Sequence, residues 1–503
     1  MPYLTPRVIA DITGGACIGD GSSWERRVAG AVRDNRDVKP GNLFVCIRGS
    51  RVDGHTFANS AFEAGAACCL VERAVPDAKG ACVLVDSTLE AIKTLAREYR
   101  RWFDIPIIGV TGSVGKTSAK EMAAAVLGTR FCVHKTPENL NNEIGVPLTL
   151  LSLDESHEVA VIEMGISEFG EMSRLAEMVQ PDICIITKIG HSHLVTLGDL
   201  NGVLRAKGEV FAHMGADGIA VLNGDDELLR GYDPGIRKIT FGFGADNDCR
   251  AENVRMEGTG SIRCDIVYDK GAIPRGGLRL GGRNDGDGNV GSRLGGGADG
   301  DVNVGLQLGG GNDGASRFAA EIPGYGAHLT QAALSASVVG LLLGMGDDEI
   351  CRGMLSYKPV GGRANVTDTG FVTLIDDSYN ANPESVKAAL ESLSALAGRR
   401  VAILGDMLNL GSQTDDLHRE IGAAAHRCGV DVLICRGEKA SYIYNSYISA
   451  GGKNAAIYTA NDEIIEALPA ILQKGDNVLV KASHGMRFSE IASSALLVSS
   501  NCL

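Results

Sequence analysis

"GVTGSVGKTSAKE", Gly109 to Glu121, decides how this chain is read. Just upstream, "IPIIGV" is a short apolar run suited to a buried strand. Downstream of Lys116, residues Ala119, Met122, Ala123, Val126 and Leu127 recur at helical spacing. Strand, glycine turn and helix start thus follow one another directly, and their backbone N–H groups converge on a concavity that favours anions. Lys116 adds a point charge and Thr117 a hydroxyl for Mg2+, so Gly112, Ser113, Val114, Gly115, Lys116 and Thr117 predict a cradle for nucleotide phosphates. The usual G-x-x-x-x-G-K-S/T spacing would place glycine at 110, where this chain has Val110. A turn that merely joins strand to helix is the competing reading, and the Lys-Thr pair in the expected place weighs against it.

Outward from this point the same alternation continues. From Pro106 to about 245, "VAVIEMG", "ICIITKIG" and "GIAVLNGDD" alternate with helical stretches, the pattern of parallel strands joined by crossover helices. From about 358 it resumes with "VTLIDDSYNANP", "RVAILGDMLNLG", "DVLICRGE" and "NVLVKASHG", each apolar run ending in polar residues. Ligands collect at the carboxyl ends of such strands, so the pattern predicts a site between two α/β domains. The first 103 residues read as a small mixed α/β unit, with "NLFVCIRG" and "GAACCLVE" as strands and "LEAIKTLAREYRRWF" as a closing helix. At 503 residues, three domains are expected. They are 1–103, 104–357 with a central parallel-sheet P-loop fold, and 358–503 with a Rossmann-like fold.

Composition narrows the function. Hydrophobic residues at 44% and charged residues at 22% describe a globular chain, and a net charge of −14 argues against a general nucleic-acid or anionic-membrane binder. No run of about 18 apolar residues occurs, and the N-terminus lacks the basic and apolar regions of a secretory signal, so a cytoplasmic location is expected. Thirteen cysteines are scattered without a C-x-x-C pair, which predicts reduced, mostly buried thiols rather than disulfides or zinc ligands. Between Gly276 and Gly314, sixteen of thirty-nine residues are glycine, and "LRLGGRND", "SRLGGGAD" and "LQLGGGND" repeat loosely. Calcium-binding nonapeptides would want glycine at Asp299 and a large apolar residue at Asn303, so an expanded, flexible surface insertion is the expectation.

Three further groups carry chemistry. Glu163 closes the apolar run "VAVIEMG", where a charged carboxylate needs a cation or a dense set of hydrogen bonds. His191 and His193 follow the next strand end, although a loop histidine is more often merely solvated or hydrogen-bonded. Lys207 lies in a predicted helix, "LRAKGEVF", where a lysine usually decorates a solvated face.

Together "TGSVGKT", "NLNNEIGVPLTLL", "VIEMGISEFGEM", "PDICIITKIGHSHL", "RAKGEVF", "DDSYNANPESVKAAL" and "LGDMLNLG", in this order, resemble the Mur ligases over nearly the whole chain outside the glycine-rich segment. The pair "DDSYNANP" and "LGDMLNLG" is the most specific part and points to the branch that adds a dipeptide. The Asp-Asn-Pro-Arg string expected of the branch that adds the third stem residue is absent. The resemblance implies an ADP-forming amide ligase of peptidoglycan precursor synthesis. ATP would phosphorylate the terminal carboxylate of UDP-MurNAc-tripeptide, and the D-Ala-D-Ala amine would displace the phosphate. A related ligase with another amino donor, such as a folylpolyglutamate type, and a nucleotide-binding regulator that does not ligate are the rivals.

By the same resemblance, Gly112 to Thr117 hold ATP phosphates, and Thr117, Glu163 and His193 are magnesium ligands. Lys207, carbamylated by CO2, helps hold a second magnesium. Lys116, Glu163, His193 and Lys207 are then the catalytic set, and Asn139, Asn141 and Asn142 line the cleft, Asn142 beside ATP. Arg363 is expected on ATP phosphates and Asp377 on the ribose or the adjoining hinge. Tyr379, Asn380 and Asn382 contact the incoming dipeptide or form an Asx turn before Pro383. Arg36, Asp53, Gly54 and His55 are expected to bind the uridine diphosphate. A monomer is the expected form, and both lysine and diaminopimelate remain open at the third position of the acceptor. Departures from the family pattern are Asn35 in a serine position, His191 in a proline position, Asn409 in a glutamate position, and Leu329 and Ala332 where asparagines often follow His328.

Overall fold

The computed structural model describes residues 3–49, 52–258, 260–278 and 314–501. Three sheets organise them. The first orders its strands Ala16–Gly19, Ala81–Leu84, Cys68–Val71, Leu43–Val45 and Ala31–Val32, all neighbours being parallel except the first pair. The helix Thr88–Arg100 covers it, started by Ser87, whose side chain accepts from the Glu90 N–H.

The second sheet has nine strands. From one edge they run Val133–Lys135, Val159–Glu163, Ile107–Thr111, Ile183–Ile186, Ile219–Asn223, Arg237–Gly242, Cys249–Glu257, Ser261–Asp269 and Ala315–Pro323. It is parallel through Cys249–Glu257, as the apolar runs require, but Ser261–Asp269 is antiparallel to both neighbours. The strands between Pro106 and about 245 are thus parallel as expected, and the antiparallel pairing lies beyond them. The turn from Glu257 to Ser261 is far too short for the crossover that a parallel partner needs. Register sets the site: Val110 pairs with Glu163 and Thr111 with Ile186, so the P-loop, Glu163 and the segment after Ile186 emerge side by side.

The P-loop helix Lys116–Leu127 packs against the almost wholly buried helix Ala327–Leu342. Small residues permit the contact: a Cβ on Gly340 would lie 3.1 Å from Ile350 Cγ1 and 3.3 Å from Val126 Cγ1, closer than ordinary van der Waals contact. Most of the glycine-rich segment, residues 279–313, lies outside the described residues. Its roots are clear, because Asp269 pairs with Ala315, and the Gly276 and Leu278 N–H groups bond to the carbonyls of Leu341 and Leu342. They attach at the C-terminal end of Ala327–Leu342, about 20 Å along the helix from His328 at its start.

The third sheet runs Asn365–Asp368, Val372–Asp376, Asp476–Lys481, Arg400–Gly405, Val432–Arg436 and Ala455–Tyr458. It is parallel apart from its first pair. Among the described residues every cysteine is a free thiol, as expected, and no helix is long and apolar enough to cross a membrane.

Candidate active site

The P-loop owes its shape to two glycines. Gly112 adopts φ 144° and Gly115 φ 82°, both in the range that side chains disfavour. A Cβ on Gly112 would stand 2.0 Å from Thr187 Oγ1, so the turn nests against the next strand end only without one. Thr187 Oγ1 in turn donates to the Val114 carbonyl at 2.5 Å. Lys116 arches back over the loop, its Nζ donating to Gly112 O at 2.8 Å. Burial lowers the Lys116 pKa; Glu163 opposes that shift and Arg363 adds to it.

Glu163, only 1% exposed, is held from several sides. Thr117 Oγ1 donates to Oε2 at 3.0 Å and Asn141 Nδ2 to Oε1 at 2.8 Å, while Lys120 Nζ stands 3.8 Å from Oε2. Lys120 also donates to the carbonyls of Thr136 and Glu138. His193, which lines the same cavity as Glu163, adopts φ 56° at the start of the turn Leu194–Leu197. Burial, then Lys207 and Lys116, push its pKa down to about 4, so the ring is neutral and one of its nitrogens is free to act as a ligand. Lys207, 2% exposed at the end of the helix Leu200–Gly208, has its pKa held well below normal by burial and by Lys116. Among the described residues no cluster of three or more His, Cys, Asp or Glu could hold a metal unaided. One buried carboxylate beside a P-loop hydroxyl fits Mg2+ completed by substrate phosphates, the usual manner in which this ion is bound.

The opposite wall comes from the third sheet. Lys481, 2% exposed at the end of Asp476–Lys481, pairs with Asp377 at 2.5 Å and donates to Asn380 O at 2.9 Å. The Ala364 N–H donates to the other Asp377 oxygen at 3.2 Å. The Arg363 guanidinium lies 3.8 Å from the Tyr379 ring centre, a stacked geometry. Ser113 to Lys116, Asn141, Asn142, Glu163, His193, His328, Arg363, Asp377, Tyr379, Asn380, Asn382 and Lys481 line one cavity of about 450 Å3. Two of these residues serve the backbone as well. Asn142 Oδ1 accepts from the N–H groups of Ile144 and Gly145, and Asn382 caps the helix Pro383–Ser394 through the Ser385 N–H. Leu329 and Ala332 are core residues and leave His328 as the polar group of that helix start in the cavity.

A second cavity, about 1180 Å3, lies between the first and second sheets. Arg36 lines it with Arg27, Arg33, Lys39 and Asn42, and Asn139 lines this cavity rather than the first. Arg36 is bound to Asp34 at 2.9 and 2.5 Å. Asp53, Gly54 and His55 are not brought to it. Buried His55 donates from Nδ1 to Asp53 at 2.7 Å and accepts at Nε2 from the Glu72 N–H at 2.8 Å. Arg73 and His55 together hold the Asp53 pKa far below the ordinary carboxylate range. A Cβ on Gly54 would meet Ile47 O at 2.7 Å, so this glycine permits a close backbone approach.

Sequence reasoning missed Lys481 and Lys120. Lys481 ends the run "NVLVK", where a strand-end lysine could have been noticed, and Lys120 follows Lys116 by one helical turn. His191 does not line the cavity; its ring and its N–H both bond to Glu384.

Three family patterns match the chain in order: the Mur ligase catalytic domain over residues 29–100, the middle domain over 110–273 and the glutamate ligase domain over 362–484. A Bacillus subtilis protein named UDP-N-acetylmuramoyl-tripeptide–D-alanyl-D-alanine ligase is 33% identical, covering 92% of each chain. The Escherichia coli protein of the same name is 32% identical, covering 91% of each. A crystal structure of MurF from Acinetobacter baumannii shares the fold, with TM-score 0.80 at 24% identity, over 99% of both chains. The Thermotoga maritima MurF ligase solved in complex with ADP gives TM-score 0.76 at 26% identity, over 95% of this chain and 99% of that one.

Proposed function

This chain belongs to the Mur ligase family, and from that premise we propose that it is the ATP-dependent ligase that joins D-Ala-D-Ala to UDP-MurNAc-tripeptide, releasing ADP and phosphate. The observation that carries the reading is one cavity walled by a P-loop with its buried carboxylate on one side and by Arg363, Asp377 and Lys481 on the other. Relatives of 30% identity or more, aligned nearly end to end, carry the substrate names.

A carboxylate is a poor acyl donor until one oxygen becomes a good leaving group. In the first step an acceptor carboxylate oxygen bonds to the γ-phosphorus as the bond to the β-phosphate oxygen breaks, giving an acyl phosphate and ADP. In the second, the dipeptide amine bonds to the acyl carbon, phosphate departs with the carboxylate oxygen, and one proton is released. The P-loop N–H groups and Lys116 hold the phosphates, and Arg363 lies where it can offset charge on the transferring group. Thr117, Glu163 and His193 are the residues that would hold Mg2+, which supplies charge neutralisation between the two anions when bound. Lys207, an amine with a depressed pKa, is suited to add to CO2 with loss of a proton, becoming an anionic oxygen ligand beside them.

The larger cavity suits the nucleotide end of the acceptor, with Arg36 and its basic neighbours facing the diphosphate. Asn139 lines one cavity and Asn141 the other, so the two adjoin within about 7 Å of chain and an elongated acceptor can span both. Tyr379 and Asn380 face the incoming amine side, and the cytoplasm is the proposed site of action.

The test is phosphate release by the purified chain with ATP, Mg2+ and UDP-MurNAc-tripeptide while the amine is varied. D-Ala-D-Ala should give the highest turnover, and labelled oxygen should pass from the acceptor acid into phosphate. Greater turnover with a single amino acid would favour a related ligase, and no oxygen transfer would end the acyl-phosphate reading.

A further inference from the structure

The loop after Ile183–Ile186 is fastened at two places. On one side it grips the P-loop: the Ser113 N–H donates to Lys188 O at 2.8 Å, Ser113 Oγ donates to Gly190 O at 3.0 Å, and Ser192 Oγ donates to Ser113 Oγ at 3.0 Å. On the other side its tip meets the third sheet's layer. The His191 N–H donates to Glu384 Oε2 at 3.1 Å, and the His191 ring Nδ1 bonds to Glu384 Oε1. Both side chains are largely buried. Gly190 makes room, since a Cβ there would stand 2.8 Å from the Glu384 carboxyl carbon. Glu384 sits in the first turn of Pro383–Ser394, directly after the segment Tyr379–Asn382 that lines the cavity. Two residues beyond His191, the same loop delivers His193.

One carboxylate thus links the amine-facing segment of the third sheet to the loop that buttresses the P-loop. We propose that Glu384 is a positioning residue for ligation, a latch that sets the amine side of the cleft against the phosphate side through His191. The inference rests on the ligase reading for its kinetic consequence, but the contact itself can be tested without turnover. Both halves of the cleft must be placed to within about 1 Å for the amine to reach the acyl carbon, and errors of that size cost on the order of a hundredfold in rate.

The experiment compares wild type, Glu384→Ala, Glu384→Gln, His191→Ala and the double alanine variant in the full chain. Glu384→Ala and His191→Ala should each lower kcat about tenfold to a hundredfold and raise KM for D-Ala-D-Ala, with KM for UDP-MurNAc-tripeptide unchanged. The double variant should be no worse than either single one, as expected of residues acting as a unit. Glu384→Gln keeps an acceptor for the N–H and a donor for the other ring tautomer, so it should recover most of the rate. Independently of activity, backbone hydrogen exchange over residues 186–194 should quicken about tenfold in Glu384→Ala. Additive kinetic losses, equal loss in all constants or unchanged exchange would overturn the latch. A wild-type chain without dipeptide-dependent phosphate release would overturn the ligase reading, while the exchange result would still decide the contact.

Discussion

Thr117 and Glu163, forty-six residues apart, meet where the P-loop helix begins and the neighbouring strand ends, with Thr117 Oγ1 donating to Glu163 Oε2 at 3.0 Å. Register prepares the contact: Val110 pairs with Glu163, so the P-loop and the helix that follow Val110 start beside the carboxylate. Its hydrogen bonds come from the neutral donors Thr117 and Asn141 while the Lys120 ammonium stands 3.8 Å away, which leaves the carboxylate able to take a cation as well.

Glu163→Gln keeps the shape and removes the charge. Turnover should fall about a hundredfold to a thousandfold, and the Mg2+ concentration for half-maximal phosphate release should rise. The fold should lose only about 1–2 kcal/mol, because the amide must turn one N–H toward Thr117 or Asn141. A Mg2+ titration of phosphate release checks this; wild-type rate and Mg2+ requirement would remove Glu163 from the metal site.

Lys207→Ala should lower the rate sharply and recover part of it when short carboxylates are added, since these can supply the oxygens that a carbamate would. Stability should change little, because burial and the like charge of Lys116 already disfavour a charged lysine there. Isotope-labelled bicarbonate should give a carbamate signal in wild type that the variant lacks. Full activity in the variant, or no such signal in wild type, would assign Lys207 to structure alone.

His134 provides a pH-dependent element of stability away from the phosphates. It is 8% exposed, its Nε2–H donates to Thr149 O at 2.8 Å, and burial pushes its pKa down to about 4. Since the folded pKa lies below the unfolded one, the neutral ring's contribution is fully present above about pH 6.5. It is lost as pH falls toward 4, at most about 3 kcal/mol. Denaturant unfolding at several pH values should show a shallower decline in His134→Gln than in wild type over that window; parallel declines would exclude this histidine as a source.

The sequence by itself determined the P-loop, the alternation of strands and helices, the free cysteines and the family, because these rest on local spacing and on residue type. Gly112 and Gly115 were legible because a phosphate loop demands backbone freedom at defined positions, and Glu163 because a carboxylate ending an apolar run cannot remain unaccompanied. Tertiary structure alone decided which groups share a cavity. Lys481 enters the cleft because its strand lies beside Val372–Asp376 in space though about a hundred residues away in sequence. Asn139 and Asn141, two residues apart, face different cavities. Asp53 and His55, set in a motif that resembles a substrate site, lie outside the larger cavity and bond to each other, to Arg73 and to the Glu72 N–H. His191 joins Glu384 across 193 residues. Local patterns fix what a segment can become; only the packing of sheets against one another fixes which side chains lose their water together, and that shared loss makes separate residues one site.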